Sequence, residues 1–213
     1  LVYSGTNSNK NNALIESFLI NEKEEKLFYN LAKLSPKDFT TEVIRLLNKK
    51  ENNLEVYKNQ NIEDSEKFLS ILNITNKYPI YTQIEDYYIK NNTLKDSISL
   101  PKDFLKHRNK ITMGLDSIMF FYPYSNYVMK RIKTDVYEQG FKNDTDEYTV
   151  ALLNNIDKTI KSEELKNIYL RHATITHFYN KSSCDLNKDA FYTFFKLNTS
   201  IKDKKKVQRL LND

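Results

Sequence analysis

The fold is decided by the stretch Ser99-Leu-Pro-Lys-Asp-Phe-Leu-Lys-His-Arg108 and its continuation Phe120-Phe-Tyr-Pro-Tyr-Ser-Asn-Tyr-Val128. Two of the four prolines of the chain, Pro101 and Pro123, lie in this region. A mobile linker is rich in Ser, Gly and Pro and poor in large apolar side chains. This region instead carries Phe104, Leu105, Met113, Leu115, Ile118, Met119, Phe120, Phe121 and Tyr122. We therefore expect a packed aromatic corner, at which the chain turns from one helical layer to the next.

The sequence on both sides of the corner has the period of amphipathic helices. Phe39, Val43, Leu46 and Leu47, for example, recur at the spacing of three to four residues that places them on one helix face. Only 3 glycines and 4 prolines occur in 213 residues, whereas β-sandwiches and α/β folds need many turn glycines. The sequence predicts an all-α fold, a multi-helix array of antiparallel helical hairpins. We expect one helical domain over 1–213, with a division into sub-bundles 8–93 and 100–213 left open.

Helix ends are marked at three places. Ser35 can cap a helix with Pro36 in its first turn, Gly140 fits a left-handed helix end, and Asp144 or Thr145 can cap the next helix.

Two local features give sharper expectations. Pro79 lies inside an otherwise helical pattern, and because proline lacks the backbone donor and clashes with the preceding turn, we expect a kink or a split near Lys77–Tyr78. Phe104 and Phe120, at the two ends of the corner, are expected to be core residues.

Charge and length limit the classes of partner. The net charge of +5 and the pI near 9.0 permit an anionic partner. The lysines are nevertheless spread among carboxylates and asparagines rather than clustered, so we expect no nucleic-acid partner. No run of about 20 apolar residues exists, which predicts no membrane span. The chain starts at Leu1 without an initiator methionine, and we expect it to be a piece of a longer protein.

The residues that usually carry chemistry do not form a recognisable site. His172 and His177 are separated by about 140° around a helix, so they cannot form a helical zinc pair. Cys184 is the only cysteine, which excludes an internal disulfide and a Cys-x-x-Cys pair. The acidic run 143–147 lacks the spacing of a calcium loop and is interpreted as a helix-capping cluster. We predict no catalytic residue, no cofactor and no metal.

The aromatic corner is the one candidate for contact with a partner. Tyrosines flank a proline there, and tyrosine combines an apolar ring with a polar hydroxyl, as protein interfaces prefer. The candidate contact residues are Phe121, Tyr122, Tyr124 and Tyr127. We expect the partner to be a protein, and the sequence leaves the oligomeric state undetermined.

The order of several short motifs resembles the helical segment of TlpA-like, thioredoxin-family thiol-disulfide oxidoreductases of the Gram-negative cell envelope. The motifs are Tyr3-Ser4-Gly5 followed by Asn11 or Asn12 and Leu14, Leu100-Pro101-Lys102-Asp103-Phe104, Tyr124-Ser125-Asn126-Tyr127, Phe191 with Phe195-Lys196-Leu197, and Leu210-Leu211. In that family a thioredoxin domain with a Cys-x-x-Cys follows. That domain is absent from these residues, so the resemblance carries over no catalytic residue.

The resemblance implies a periplasmic or cell-envelope location and a parent protein in thiol-disulfide exchange. The chain itself would then be a non-catalytic helical scaffold or partner-recruiting module, and not an enzyme. The alternative from the residues alone is a free-standing helical adaptor that binds protein or peptide. A basic nucleic-acid binder is a third and weaker alternative.

Overall fold

The computed structural model describes residues 2–61, 63, 65–92, 100–101, 103–143, 145–180 and 188–212. This described part of the chain contains eight α-helices and no strand, which confirms the predicted all-α class. The chain divides into two compact units, residues 1–111 and 112–213.

In the residues that the structure describes, the first unit contains three long α-helices and one short 3₁₀ helix. Helix α1 covers Ser8–Leu31, α2 Pro36–Gln60 and α3 Glu66–Asn92, and a 3₁₀ helix covers Lys106–Lys110. Helix α2 begins where the sequence predicts, because the Ser35 hydroxyl accepts a hydrogen bond from the backbone N–H of Asp38 and Pro36 occupies the first turn. Helix α3 packs against both α1 and α2.

The core of the first unit is an aromatic and aliphatic cluster at which all three helices meet. The rings of Phe39 and Tyr87 stack at 3.8 Å between centroids, and the ring of Phe104 lies 5.9 and 5.8 Å from them. The buried members are Phe28, Leu31, Phe39, Val43, Leu46, Ile80, Ile84, Tyr87 and Phe104. Because Phe104 packs here, residues up to Ile111 belong to the first unit, and the boundary between units lies later than the break considered between 93 and 100.

Helix α3 runs without interruption through Pro79, so the split considered near Lys77–Tyr78 is not found. Proline cannot donate to the carbonyl four residues earlier, which is that of Thr75. The Asn21 side-chain amide of α1 donates to this carbonyl instead, at 2.8 Å. Asn21 in turn accepts a hydrogen bond from the buried Lys50 ammonium at 2.8 Å, and Lys50 pairs with Glu24 at 2.8 Å. A polar network from α1 and α2 thus replaces the donor that Pro79 lacks.

The described residues of the second unit form five α-helices and a 3₁₀ turn. The turn covers Asp116–Ile118, followed by α4 (Tyr122–Glu138), α5 (Asp146–Thr159), α6 (Glu163–Asn180), α7 (Asp189–Leu197) and α8 (Ile201–Asn212). Helix α5 packs against α4, α6 and α7, while α8 lies against α6. Gly140, predicted to end α4, has a left-handed φ of 88° directly after the helix.

None of the helices in the described part of the chain combines the length and the apolar character needed to cross a membrane.

Candidate functional site

An open groove of about 460 Å³ lies in the first unit, between α2, α3 and residues 101–110. Its long wall is α2, from which Thr40, Ile44, Asn48 and Glu51 line the groove on successive turns. At 1.5 Å per residue this wall is ~17 Å long. The groove is therefore elongated along one helix.

The floor of the groove is apolar. Phe39, Val43, Ile84 and Phe104 are buried members of the core cluster and also line the groove. Above them, Ile44 leaves 44% of its surface exposed to solvent. Water in the groove therefore lies against apolar surface, and an apolar ligand would displace it favourably.

The opposite wall is an irregular segment that a buried carboxylate holds in place. Glu85 on α3 is fully buried, and its Oε1 lies 3.0 Å from Nε2 of His107. The Arg108 guanidinium donates to both oxygens of Glu85, from Nε at 2.8 Å and from Nη2 at 2.5 Å. Bidentate pairing of this kind fixes geometry as well as charge. Glu85 thus anchors the 3₁₀ helix Lys106–Lys110 onto α3.

The ionisation of Glu85 reflects this pairing. Burial raises the pKa of the Glu85 carboxyl, but the hydrogen bonds and charges of Arg108 and His107 outweigh it and lower the pKa from 4.5 to about 2. Glu85 is therefore a carboxylate at neutral pH. The wall of the groove is held by a charged contact rather than by apolar packing alone.

The rings of Tyr81 and His107 also line the groove. The imidazole of His107 stacks on the ring of Tyr81, with 4.9 Å between centroids and 15° between planes. Burial raises the pKa of the Tyr81 phenol. Its hydroxyl therefore stays protonated at neutral pH, so that it can donate a hydrogen bond.

The rim of the groove carries charges of two kinds. Lys77 and Glu51 form an ion pair across α2 and α3. Lys106, Lys110 and Asp103 are exposed, and within the described part of the chain none of the three has a hydrogen-bond or ion-pair partner through its side chain. The rim therefore presents two lysines that a ligand can neutralise.

The residues of the aromatic corner that the sequence predicted for partner contact differ in their exposure to solvent. Tyr124 and Tyr127 are buried, with 0% and 1% exposure, so these two predictions are corrected to core positions. Tyr124 faces inward because its hydroxyl bonds to the backbone. It donates to the carbonyl of Thr112 at 2.8 Å and accepts a hydrogen bond from the N–H of Leu115 at 2.9 Å.

The exposed part of the corner precedes these two residues. Phe121 is half-buried and Tyr122 is 72% exposed. Phe120 is 74% exposed, so its predicted core position is wrong. The exposed side chains of the corner are therefore those of Phe120, which precedes α4, and Tyr122, at which α4 begins.

His172 and His177, which the sequence predicts not to form a zinc pair, lie in different environments. His172 is exposed, whereas His177 is buried and lies 2.8 Å from the Thr149 hydroxyl and 3.2 Å from Asp146. Across the described ranges, no group of three or more His, Cys, Asp or Glu residues could hold a metal ion. Cys184 lies outside the described residues.

The acidic run before α5 is partly described. Thr145 caps the helix, accepting a hydrogen bond from the backbone N–H of Tyr148 at 3.1 Å. Asp144, the other residue considered for this cap, lies outside the described residues.

Sequence reasoning did not find the groove. One signal was present: Glu85 directly follows Ile84 and precedes Tyr87 by two residues, on the part of α3 that contributes to the core. A buried carboxylate needs hydrogen-bond donors or a cationic partner, and His107 and Arg108 lie 22 and 23 residues later in the sequence.

Comparison with known proteins adds no relative to this description. No family model, no curated protein and no solved structure matches the chain, and nothing links it to the TlpA-like proteins that its short motifs resemble.

Proposed function

We propose that the chain is a non-catalytic helical binding module, and that the groove along α2 holds an apolar segment of a partner protein. The observation that carries this proposal is the open apolar floor, with Ile44 exposed between polar rims. A groove ~17 Å long accommodates about three turns of a helix or five residues of an extended strand. Helix-in-groove and extended-peptide recognition both use such a floor for alternate side chains.

Two lysines on the rim of the groove, unpaired within the described part of the chain, favour a particular kind of segment. Lys106 and Lys110 stand on the segment that Glu85 anchors, so their backbone positions are fixed before a ligand arrives. A carboxylate on the partner segment would find a cation there without displacing an existing ion pair. The preferred occupant is an apolar segment with an acidic residue at one end.

Binding is favoured over catalysis by the state of the buried ionisable groups. Glu85 is paired with His107 and Arg108, and Lys50 is paired with Glu24. Burial lowers the pKa of Lys50, against the hydrogen bond and charge of Glu24. These groups are turned into the protein and occupied by one another, which suits a structural role rather than proton transfer to a substrate.

The cellular setting rests on the resemblance alone. A partner-recruiting role beside a thioredoxin-like domain of the cell envelope is supported by the short motifs of the corner and of the C-terminal helices. The reading frame of the gene tests it: a Cys-x-x-Cys domain encoded directly after Asp213 would support this setting, and a stop codon there would favour the free-standing adaptor.

The groove is tested with peptides selected from a displayed library of short linear sequences. We expect the selected peptides to be apolar with an acidic residue, and to bind Ile44→Asp at least tenfold more weakly, because one buried isoleucine contributes about 1.5–3 kcal/mol. Val56→Asp is the matched control, since Val56 is 55% exposed on the same helix but does not line the groove.

Two results would reject the groove as the binding site. One is a set of selected peptides whose affinity is the same for Ile44→Asp and Val56→Asp. The other is loss of binding in Tyr122→Ala with Ile44→Asp unaffected, which would place the binding surface at the aromatic corner.

A further inference from the structure

Helix α8 carries nearly all of the net charge of the chain. Its twelve residues contain five basic side chains and one acidic one, a net +4, whereas the whole chain has a net charge of +5. The basic residues are Lys202, Lys204, Lys205, Lys206 and Arg209. The expectation that the lysines are spread rather than clustered holds for the rest of the chain, where carboxylates balance them, but it is wrong for α8.

The single carboxylate of α8 does not offset these charges at the surface. Asp203 is buried and pairs with Arg171 of α6. Val207, one turn later, is also buried, and α8 lies against α6. The apolar side of α8 is therefore already used inside the second unit.

Four of the five basic side chains lie together on the outer side of the helix. At 100° per residue, Lys202, Lys205, Lys206 and Arg209 fall within an arc of about 100°, and all four are exposed. None of them has a hydrogen-bond or ion-pair partner through its side chain among the residues that the structure describes. Ile201, 72% exposed, stands at the start of the helix.

We propose that this face of α8, defined by Lys202, Lys205, Lys206 and Arg209, docks the chain onto an anionic phospholipid surface. Clusters of four or more basic residues on an amphipathic helix are attracted to anionic headgroups. The contact is peripheral, because the apolar side of α8 faces α6 and is not available for insertion into a bilayer. This proposal is independent of the groove in the first unit.

The shape of the surface favours lipid over nucleic acid. A straight helix embedded along one side presents a single face, which suits a flat array of headgroups. Helices that read DNA enter a groove and reach base edges, and single-strand binders stack bases on aromatic side chains. Helix α8 is packed along α6 and contains no aromatic residue.

The test compares two variants of equal net charge. One, the α8 variant, combines Lys202→Gln, Lys205→Gln, Lys206→Gln and Arg209→Gln. The other, the control variant, combines Lys23→Gln, Lys26→Gln, Lys37→Gln and Lys67→Gln. The second set removes four exposed lysines from the first unit. Binding is measured by co-sedimentation with vesicles of phosphatidylcholine alone and of phosphatidylcholine mixed with phosphatidylglycerol, and circular dichroism compares the helix content of both variants with that of the parent.

We expect binding to the mixed vesicles only. Each basic residue near the surface strengthens binding roughly fivefold, so the α8 variant should bind on the order of several hundredfold more weakly. The control should bind like the parent. The single changes Lys205→Gln and Arg209→Gln should each cost about fivefold, which separates the effect from any loss of folding. Binding should disappear at about 1 M salt, where the screening length falls to about 3 Å.

Three results would overturn the proposal. The first is no binding of the parent to the mixed vesicles, and the second is an equal loss in both variants, which would make net charge rather than α8 responsible. The third is tighter binding to duplex DNA than to the vesicles, lost in the α8 variant, which would identify the partner as nucleic acid.

Discussion

Two neighbouring irregular segments, residues 101–110 and 112–121, are fixed to their own units by different chemistry. In the first, a buried carboxylate, Glu85, pairs with His107 and Arg108. In the second, the neutral hydroxyl of Tyr124 bridges the backbone of Thr112 and Leu115. Each contact thus fixes a segment that lacks the regular hydrogen bonding of an α-helix, the first with a charged group and the second with a neutral one.

The difference has a consequence for function. The charged contact holds the wall of the groove and the rim lysines of the first unit, and its strength depends on the ionisation of one carboxyl group. The neutral contact holds residues 112–115 through the Tyr124 hydroxyl, which burial keeps protonated by raising its pKa. The Glu85 contact is therefore sensitive to acid in a way that the Tyr124 contact is not.

Removing the charged contact should have the largest effect. Glu85→Ala leaves the Arg108 guanidinium in a largely buried position without its partner, so we expect the first unit to lose about 3–5 kcal/mol of unfolding free energy. Urea titration followed by separate NMR signals of each unit measures it. Glu66→Ala, an exposed position on the same helix, is the control and should change stability by less than about 0.5 kcal/mol. A similarly small effect of Glu85→Ala would mean that the pairing does not hold the groove wall.

The limits of sequence reasoning are visible in these two segments. Helical class, the start of α2 and the end of α4 follow from local signals, namely the Ser35-Pro36 cap and Gly140, which act within one or two turns. The contacts of Glu85 with His107 and of Tyr124 with Thr112 join residues 22 and 12 positions apart, and no periodicity encodes such pairs. For the same reason the burial of Tyr124 and the exposure of Phe120 could not be predicted: both are aromatic, and only the turn before α4 decides which ring faces inward.

The two phenylalanines at the ends of the corner should respond in opposite ways. Phe104 is buried against Phe39 and Tyr87, so Phe104→Ala should cost about 3–5 kcal/mol, as for other buried phenylalanines. Phe120→Ala should change the urea midpoint very little, since the side chain is 74% exposed. A large loss in Phe120→Ala would show that the second segment packs more tightly than the structure indicates.

Gly114 tests how closely the second segment, residues 112–121, packs against Thr159. Its φ is 68°, and a Cβ atom there would lie 2.2 Å from the carbonyl oxygen of Thr159. We expect Gly114→Ala to destabilise the second unit by about 3 kcal/mol, from the left-handed backbone and from the clash together.

Gly140 provides the matched control for this substitution. It is also left-handed, at 88°, but has nothing within 4 Å of such a Cβ. Gly140→Ala should therefore cost only the backbone contribution of about 1–2 kcal/mol. Equal losses of unfolding free energy at both glycines would mean that the segment is not held closely against Thr159.

The central claim, that the groove wall is held by the Glu85 carboxylate and residues 112–115 by the neutral Tyr124 hydroxyl, is tested most directly by the pH dependence of two conservative substitutions. The pKa of Glu85 is lowered from 4.5 to about 2, so its ionised form stabilises the fold above pH 4.5 and this contribution is lost as the pH falls toward 2. The loss of unfolding free energy in Glu85→Gln should therefore shrink by about 2 kcal/mol between pH 6 and pH 3, whereas the loss in Tyr124→Phe should stay constant over the same range. A pH-independent loss in Glu85→Gln, or a loss in Tyr124→Phe that changes in parallel with it, would contradict the account.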